Sequence, residues 1–318
     1  MEIEWSKIKR NIGKSFPAVN WIEYLLFRGI MGFVNLFPIK IATWMMRRAG
    51  DLMFVILPTR RKVALSNLDI AFGNAKTPAE KKRIALESFR HISVSIAEFF
   101  RLPKFIKTAE RHITFSGLEN TDKAIRLGKG QVLVMSHLGV WEYLSFLSRK
   151  EKHHSLVFAR AIRNPYVNRW IKYLRELTGL EFIDKDVGPR KVLSELRKNH
   201  GIGIVIDQWA GNEGDWVEFF GKKTSTTTLP AVLAKRTGAA LLPAYCIRKS
   251  PGEYEIISLP LVEIKGDNDS WRKETTKELN RLLEDGIRKY PEQWTWTHRR
   301  WKNKIHIPNK MKQNAVSK

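Results

Sequence analysis

Val132-Leu-Val-Met-Ser-His-Leu-Gly-Val-Trp-Glu-Tyr143 combines a strand-like pattern and the start of a helix in one short segment. Its first half is a short apolar run typical of a buried strand, and Gly139 permits a sharp turn before a helix that starts near Trp141. Further short apolar runs follow along the chain, with helical segments between them. This alternation predicts an α/β fold with a mixed, mainly parallel central sheet flanked by helices.

The predicted elements can be given by residue number. The strands are predicted at 131–136, 155–158, 203–206, 240–245 and 254–258. The helices of this region are predicted at 119–128, 141–149, 165–178, 189–199, 228–237 and 269–289. An earlier helix is expected from Thr77 to about Arg101, because Thr77, Pro78 and Glu80 have the spacing of a capping box with proline at the first helical position.

His137 and Glu142 are the candidate catalytic residues. On one continuous helix, positions five apart diverge by about 140°, so His137 must precede the helix if it is to meet Glu142. The carboxylate would then accept a hydrogen bond from one ring nitrogen, and the other nitrogen would act as a general base on a hydroxyl. The sequence thus predicts a His-Glu dyad whose nucleophile is supplied by the substrate.

Other interpretations of His137 remain open at this point. A histidine at a strand end is often structural, and this spacing also occurs by chance. A metal site lacks support, since neither a second ligand at suitable spacing nor a His-Glu-x-x-His motif is present. The sequence also lacks the Gly-x-Ser-x-Gly of serine hydrolases and the glycine-rich phosphate loop of kinases and ATPases.

The charge of the chain predicts an anionic partner. Its 318 residues include 56 Lys and Arg against 32 Asp and Glu, a formal net charge of +24. Nucleic acid, an acidic membrane surface and an acidic protein are all compatible with this excess. Nucleic-acid binding is an alternative function, although no recognition motif supports it.

The single Cys246 lies in an apolar run and is expected to be a small buried hydrophobic residue, consistent with a reducing compartment.

The N-terminal part is expected to contact a membrane. Its longest charge-free run, 29–39, is shorter than the ~20 residues of a spanning helix. Aromatic and basic residues alternate over 17–57, as in helices that lie in the headgroup region, but a core-packing helical hairpin and a tilted span are alternatives. The start of the chain lacks the pattern of a signal peptide, so the bulk is expected in the cytoplasm. We divide the chain into a membrane-associating segment 1–60, an α/β domain 61–302 and a flexible basic tail 303–318.

The chain resembles the bacterial lipid A biosynthesis acyltransferases, which are related to the glycerolipid and lysophospholipid acyltransferases. The resemblance extends from about Arg60 to Lys302 and includes several ordered motifs. They are Arg61-Lys-Val-Ala-Leu-Ser-Asn-Leu-Asp-Ile-Ala-Phe72, His137 to Glu142, Arg160-Ala-Ile-Arg-Asn-Pro165, Asp207-Gln208, Phe219-Phe-Gly221, Thr226-Thr-Thr228, Pro230 to Ala234, Arg236-Thr-Gly238, Pro291-Glu-Gln293 and Trp296-Thr-His-Arg-Arg-Trp-Lys302.

The resemblance implies an acyltransferase in which His137 and Glu142 are the catalytic pair. It implies acyl carrier protein, or acyl-CoA, as the thioester donor and an anionic glycolipid, a lipid A precursor, as the acceptor, at the cytoplasmic face of the inner membrane. No metal or redox cofactor and no nucleic acid is expected. An acyltransferase for another glycolipid or for a lysophospholipid is the alternative within the enzymes.

Further site residues are expected to bind substrate. Arg160 matches an arginine of the family and would bind a phosphate or stabilise an oxyanion, with a surface salt bridge as the alternative. Asn164 follows it in the same motif. Asp207 and Gln208 come directly after an apolar strand, and Asp207 is either a site residue or a cap of the next turn.

Two further candidates lie nearer the C-terminus. Thr227 belongs to a hydroxyl-rich run at a helix start, which is either an anion site or an N-cap region. Arg299 would contact the headgroup side or cover the core with its stem. Val140, Ala161 and Trp209 depart from the residues common in the family, which leaves the acceptor and the acyl chain less defined than the reaction class.

Overall fold

The computed structural model describes residues 17–159, 162–184, 189–212, 214–264 and 270–302. Three predicted parts lie outside the described residues, namely Arg160, the whole tail 303–318 and the first sixteen residues of the N-terminal segment. The helices in chain order are α1 Pro17–Leu36, α2 Ile39–Ile56, α3 Pro58–Phe72, α4 Pro78–Phe100, α5 Leu102–Phe105, α6 Leu118–Arg126, α7 Ser145–Lys150, α8 Pro165–Glu176, α9 Pro189–Arg197, α10 Leu229–Thr237 and α11 Trp271–Lys289.

The strands form a seven-stranded sheet and a separate hairpin. The strands in chain order are β1 Ile113–Ser116, β2 Gln131–Met135, β3 Ser155–Ala159, β4 Leu180–Asp184, β5 Gly201–Val205, β6 Asp215–Phe219, β7 Lys222–Thr226, β8 Ala240–Ser250 and β9 Glu253–Ser258. The large sheet has the order β1-β9-β8-β2-β5-β3-β4, and β6 pairs with β7 in the hairpin. Strands β8, β2, β5, β3 and β4 are mutually parallel, whereas β9 is antiparallel to β8 and parallel to β1. The predicted α/β class with a mainly parallel sheet is confirmed.

Side chains alternate between the two faces of the sheet, and helices cover both faces. On one face Val132, Val134, Ile202 and Ile204 pack in a core that also includes residues of α3, α4 and α11. On the other face Met135 packs with residues of α1, α7 and α8. Such continuous apolar strands are expected where a parallel sheet is buried on both sides.

Two local predictions are confirmed. Thr77 and Glu80 form the reciprocal hydrogen bonds of a capping box at the start of α4, with Pro78 in the first turn. Cys246 is free and fully buried in β8, and its burial raises the pKa of the thiol. It is therefore a packing residue and not a nucleophile.

The first helix packs on α4 and α8 and the second packs along α4. Both leave much of their apolar surface exposed. Arg101 donates to the carbonyl oxygens of Val34 and Phe37 at the end of α1, both at 2.8 Å. None of the described helices combines the length and the hydropathy that crossing a bilayer requires.

Candidate active site

A glycine turn delivers His137 to the carboxyl end of β2. Gly139 has a positive φ of 66°, and a Cβ added to it would lie 1.8 Å from the carbonyl oxygen of Cys246. Only glycine therefore fits this position. A short 3₁₀ helix, Trp141–Leu144, follows the turn. His137 thus precedes the helix, as the sequence predicts.

The carboxylate that orients His137 belongs to Asp207. One carboxylate oxygen lies 2.8 Å from Nδ1 of the ring, and the other accepts from the backbone N–H of His137 at 2.7 Å. Trp294 donates its indole N–H to the second oxygen at 2.7 Å. Strands β2 and β5 are neighbours, so the residues that follow their carboxyl ends meet at one edge of the sheet.

The pair has mutually dependent ionisation. Burial alone would lower the pKa of His137, but the charge of Asp207 and its hydrogen bond outweigh burial, with a smaller contribution from Glu142, so the pKa is raised. Burial would raise the pKa of Asp207, but the charge and hydrogen bonds of His137, together with the Trp294 bond, lower it. The arrangement keeps Asp207 ionised and favours the protonated imidazole.

Glu142 bonds to an arginine and not to His137, which corrects the predicted contact. Its two oxygens accept from Nε and Nη2 of Arg175 in α8 at 3.0 Å and 2.7 Å. The ring nitrogen expected to face Glu142 is bonded to Asp207 instead. The physical reason is that the planar guanidinium of Arg175 matches both oxygens of one carboxylate, while Asp207 reaches the ring from the adjacent strand. A catalytic role for Glu142 stays a prediction.

The second ring nitrogen of His137 faces an exposed polar side chain. The amide nitrogen of Gln208 lies 3.2 Å from Nε2. Trp141 packs edge-on against the imidazole, with ring centroids 5.0 Å apart. With Nδ1 bonded to Asp207, Nε2 is the nitrogen able to accept a proton from a hydroxyl.

A cavity of about 280 Å³ opens beside His137 and extends along the sheet. His137, Trp141, Glu142 and Gln208 line it at the carboxyl ends of the strands, and Gln131 lines it at the amino end. The middle of its wall is apolar, and its lining there includes Leu133, Met135, Leu144, Leu147, Val157 and Val205. This shape suits a long apolar group whose reactive end meets the imidazole.

The register of the strands arranges the cavity wall in rows. Gly203 of β5 pairs with Leu133 on one side and Val157 on the other. A Cβ added to Gly203 would lie 2.9 Å from the terminal methyl of Met135. The absence of a side chain at Gly203 therefore makes room for the methyl end of Met135 in the cavity wall.

Three of the remaining candidates, Asn164, Thr227 and Arg299, are described by the structure and are not among the residues that line this cavity. Asn164 caps α8 by accepting from the N–H groups of Tyr166 and Val167, and it donates to the carbonyl of Asn20 and to Glu23 of α1. Asn164 is thus a buried N-cap that also joins the start of α8 to α1.

Thr227 and Arg299 also lie outside the described lining of the cavity. Thr227 accepts from the N–H of Leu229 at the start of α10. The run around it is not wholly a helix start as expected, because residues up to Thr226 form β7. Arg299 is exposed. The substrate-binding roles of Asn164, Thr227, Arg299 and Arg160 stay predictions.

The segment after α11 supplies Trp294, a site residue that the sequence patterns did not indicate, and His298 and Arg300, which belong to the motif from Trp296 to Lys302. Burial lowers the pKa of His298 to about 4, and Asp207 and His137 are close enough to influence this pKa. The guanidinium of Arg300 is fully buried, and its burial lowers the pKa to about 10. Arg300 donates to the carbonyl oxygens of Gln208 and Ser225, so it fixes the backbone beside the imidazole. A tryptophan-rich, basic motif near the C-terminus was the available signal.

Among the described residues, one group has the ligand set of a metal site, and it lies at the other end of the sheet. Ligand atoms of His154, Glu195 and His200 lie within 4.8 Å of one another. Glu195 is already paired with Lys198 at 2.9 Å and with His200 at 2.8 Å. The group is near the amino ends of β3 and β5 and has no connection with His137.

Comparison with known proteins identifies a family and several relatives. The model of the family described as "Bacterial lipid A biosynthesis acyltransferase" matches residues 14–303. A phosphatidylinositol mannoside acyltransferase of Mycobacterium tuberculosis is 35% identical over 159 residues, 47% of this chain and 49% of the relative. The match thus spans about half the length of that mycobacterial protein.

Two Escherichia coli proteins match over more of their length at lower identity. The lipid A biosynthesis palmitoleoyltransferase is 23% identical over 277 residues, 84% of this chain and 87% of the relative. The lipid A biosynthesis lauroyltransferase is 24% identical over 298 residues, 89% of this chain and 92% of the relative.

Proposed function

Because this chain belongs to the bacterial lipid A biosynthesis acyltransferase family, we propose that it transfers a fatty acyl group from a thioester to a hydroxyl of a membrane glycolipid. The observation that carries the proposal is the His137 imidazole, bonded to the buried Asp207 at the mouth of a largely apolar cavity. A base that borders a largely apolar cavity is suited to acyl transfer from a fatty acyl donor to an alcohol.

The chemistry needs one base and no covalent enzyme intermediate. Nε2 of His137 takes the proton of the acceptor hydroxyl while the oxygen attacks the thioester carbonyl carbon. The C–O bond forms, the C–S bond then breaks, and the departing thiolate takes the proton back from the imidazolium. Asp207 holds Nδ1 and stabilises the imidazolium between the two proton transfers.

The cavity holds the acyl chain of the donor. Each methylene moved from water into an apolar site contributes about 0.8 kcal/mol, so a chain of ordinary fatty-acid length gains most of its affinity there. The thioester then lies beside Trp141 and Gln208, which face the cavity next to His137.

Glu142 and Arg175 act together at the same mouth. The carboxylate holds the guanidinium in the cavity wall through two hydrogen bonds, and its charge also favours the protonated form of His137. In this scheme Glu142 contributes to catalysis in two ways, since its negative charge stabilises the imidazolium of His137 and its carboxylate positions Arg175. Asp207 orients the imidazole ring.

The exposed apolar side chains of the first two helices support a membrane-surface location for the site. Their outer faces carry most of the large exposed apolar side chains of the described chain, namely Val19, Trp21, Ile22, Leu25, Leu26, Ile30, Phe33 and Leu36 of α1 and Ile41, Trp44, Leu52, Met53, Val55 and Ile56 of α2. An apolar patch of this extent with a net charge of +24 suits an anionic bilayer. We place the protein on the cytoplasmic face of the inner membrane.

The donor is acyl carrier protein and the acceptor a lipid A precursor. The acidic surface of the carrier is complementary to this basic chain, and the two E. coli relatives that match over most of their length are named for lipid A. A phosphatidylinositol mannoside is the second candidate acceptor, favoured by the higher identity to the mycobacterial relative.

Product analysis tests the proposal. The full chain in anionic vesicles is given dodecanoyl or hexadecanoyl thioesters of acyl carrier protein and of coenzyme A, with either a lipid A precursor or a phosphatidylinositol mannoside. With the carrier donor, mass spectrometry is expected to find a lipid A product that has gained one acyl chain. No such product is expected with His137→Ala. Absence of transfer to both acceptors from every donor would refute the proposal, and equal transfer by His137→Ala would refute the base.

A further inference from the structure

A network of hydrogen bonds, most of them buried, holds the turn between His137 and the 3₁₀ helix. We call it the Gly139 clamp. The N–H of Gly139 donates to the carbonyl oxygen of Gln293 at 2.9 Å. The carbonyl oxygen of Gly139 lies 3.1 Å from Nε2 of His91, a buried residue of α4. Both polar groups of this glycine are therefore held by residues distant in sequence.

The two arms of this clamp meet at Arg248 in β8. Its side chain donates to Nδ1 of His91 at 2.7 Å. Its backbone N–H donates to the side-chain oxygen of Gln293, and its carbonyl oxygen accepts from the same side-chain amide, both at 3.0 Å. Arg248 thus links the residue that holds the Gly139 carbonyl with the residue that holds the Gly139 N–H.

A buried ion pair fixes the guanidinium of Arg248. Glu98, which is fully buried, accepts from Nε of Arg248 at 2.6 Å and from Nη2. Tyr254 also donates to Glu98, at 2.9 Å. A buried charge without its partner is strongly destabilising. The guanidinium of Arg248 is therefore held beside Glu98.

The same bonds define the protonation of His91. An arginine only donates hydrogen bonds, so Nδ1 of His91 must accept, and the ring proton is on Nε2. Burial, followed by the charge of Arg248, lowers the pKa of His91 well below its usual range, so the ring stays neutral. His91 therefore donates from Nε2 toward the Gly139 carbonyl, with the hydroxyl of Ser95 a second neighbour at 3.3 Å.

We propose that His91 is a positioning residue for acyl transfer, which, with Arg248 and Gln293, holds the Gly139 peptide and thereby aims His137 at the mouth of the cavity. The inference rests on the proposed function. Gly139 is two residues from His137 and three from Glu142, so movement of its peptide moves both side chains. A misplacement of about 1 Å in a catalytic group costs on the order of 100-fold in rate.

The test compares two buried substitutions that touch the same ion pair. His91→Phe removes the bond to Gly139, whereas Tyr254→Phe removes a bond to Glu98 and leaves the Gly139 clamp in place. At a temperature where both variants are folded, we expect kcat of His91→Phe to fall by about 10- to 100-fold with KM within about threefold. Tyr254→Phe is expected to keep kcat within about twofold, and His91→Gln, which restores an N–H donor, is expected to recover part of the loss.

Hydrogen–deuterium exchange of the peptide 136–144 gives a readout independent of activity. Exchange is expected to accelerate in His91→Phe and to stay at the parent rate in Tyr254→Phe. Equal kcat losses in the two variants, or an unchanged kcat and exchange rate in His91→Phe, would overturn the inference. Should His91→Phe not fold, Gln293→Leu removes the two side-chain bonds that tie Gln293 to the backbone of Arg248. This variant loosens the other arm of the clamp and is expected to lower kcat in the same way, and normal turnover in it would overturn the inference. A parent chain that transfers no acyl group would refute the proposed function, while the exchange comparison would still show whether His91 holds the Gly139 peptide in place.

Discussion

Asp207 bonds to His137 twice, through the ring Nδ1 at 2.8 Å and through the backbone N–H at 2.7 Å. The two bonds fix both the orientation of the imidazole and the position of its backbone. Since a carboxylate only accepts hydrogen bonds when ionised, the ring proton lies on Nδ1 in the neutral state and Nε2 is the basic nitrogen. The proton-accepting nitrogen is thereby set before substrate arrives.

Replacing Asp207 with Asn tests this assignment. The charge of Asp207 contributes to the raised pKa of His137, so its loss lowers that pKa. We expect the rate to fall by about 10²- to 10⁴-fold and the acid limb of the kcat/KM profile to shift to lower pH. The profile is measured from about pH 5 to 9. An unchanged acid limb with unchanged rate would assign the orienting role to another group.

The pairing of Glu142 with Arg175 predicts a specific non-additivity. Glu142→Gln and Arg175→Gln each break the same pair, so each is expected to lower the rate, and the double variant is expected to be no slower than the slower single variant. A coupling energy of at least about 1 kcal/mol is expected. If Glu142 acted directly on the imidazole, Arg175→Gln would leave the rate near that of the parent and the two effects would add. Steady-state kinetics of the four proteins decides between them.

Sequence patterns predicted the central strands because these are continuous apolar runs buried on both faces. They missed β1, β4, β6 and β7. In β7, Thr224 and Thr226 are buried although they are polar. Arg300 explains this burial, since its carbonyl oxygen accepts from Thr224 and its guanidinium donates to the hydroxyl of Thr226. Such compensation depends on tertiary contacts between residues more than seventy positions apart.

The candidate site divides in the same way. His137 and the glycine turn follow from local sequence, because a strand, a glycine and a helix start occur within one short stretch. The partner of His137 does not, since Asp207 is seventy residues away and becomes a neighbour only through the adjacency of β2 and β5. Trp294 completes the carboxylate's hydrogen bonds from yet another segment. Asp207 was identified from its place after a strand, but its contact required the strand order.

The ion pair of His137 and Asp207 predicts a pH dependence of stability. The folded-state pKa of His137 is raised above its usual 6.5, so its stabilisation is present below that pH and is lost as pH rises through the raised value. The Tm difference between the parent and His137→Gln is therefore expected to be larger at pH 5.5 than at pH 8.5, roughly one unit or more to either side of the ordinary histidine pKa. Asp207→Asn is expected to show the same trend. A Tm difference that grows with pH would contradict the pairing, and calorimetry across this range measures it.

The exposed face of α1 predicts a change in membrane affinity. Leu26 is 64% exposed, and Leu26→Glu both removes apolar area and adds a charge that anionic lipids repel. We expect its affinity for anionic vesicles to fall at least about tenfold. Leu127→Glu is the matched control, since Leu127 is 50% exposed but follows α6. Vesicle co-sedimentation that shows equal losses for both variants would place the membrane contact elsewhere.

If the acyl chain lies in the cavity as proposed, the size of the residue at position 203 is expected to limit the length of the transferred chain. The rows of the cavity wall are two residues apart along β5, a spacing of about 6.6 Å. An extended hydrocarbon advances by about 1.25 Å per carbon, given a C–C bond of about 1.5 Å and a bond angle near 111°. One row therefore corresponds to about five carbons.

Gly203→Val fills the row between Leu133 and Val157 and is expected to shift the products toward chains shorter by up to about five carbons. Met135, whose methyl group would meet the new Cβ, determines how much of that shift is seen, because its flexible side chain can yield. Ile204→Val is the control on the opposite face of β5, where it costs about 1 kcal/mol of stability without entering the cavity. Mass spectrometry of products from an equimolar set of donors measures the distribution. A shift in the control but not in Gly203→Val would place the acyl chain outside this cavity.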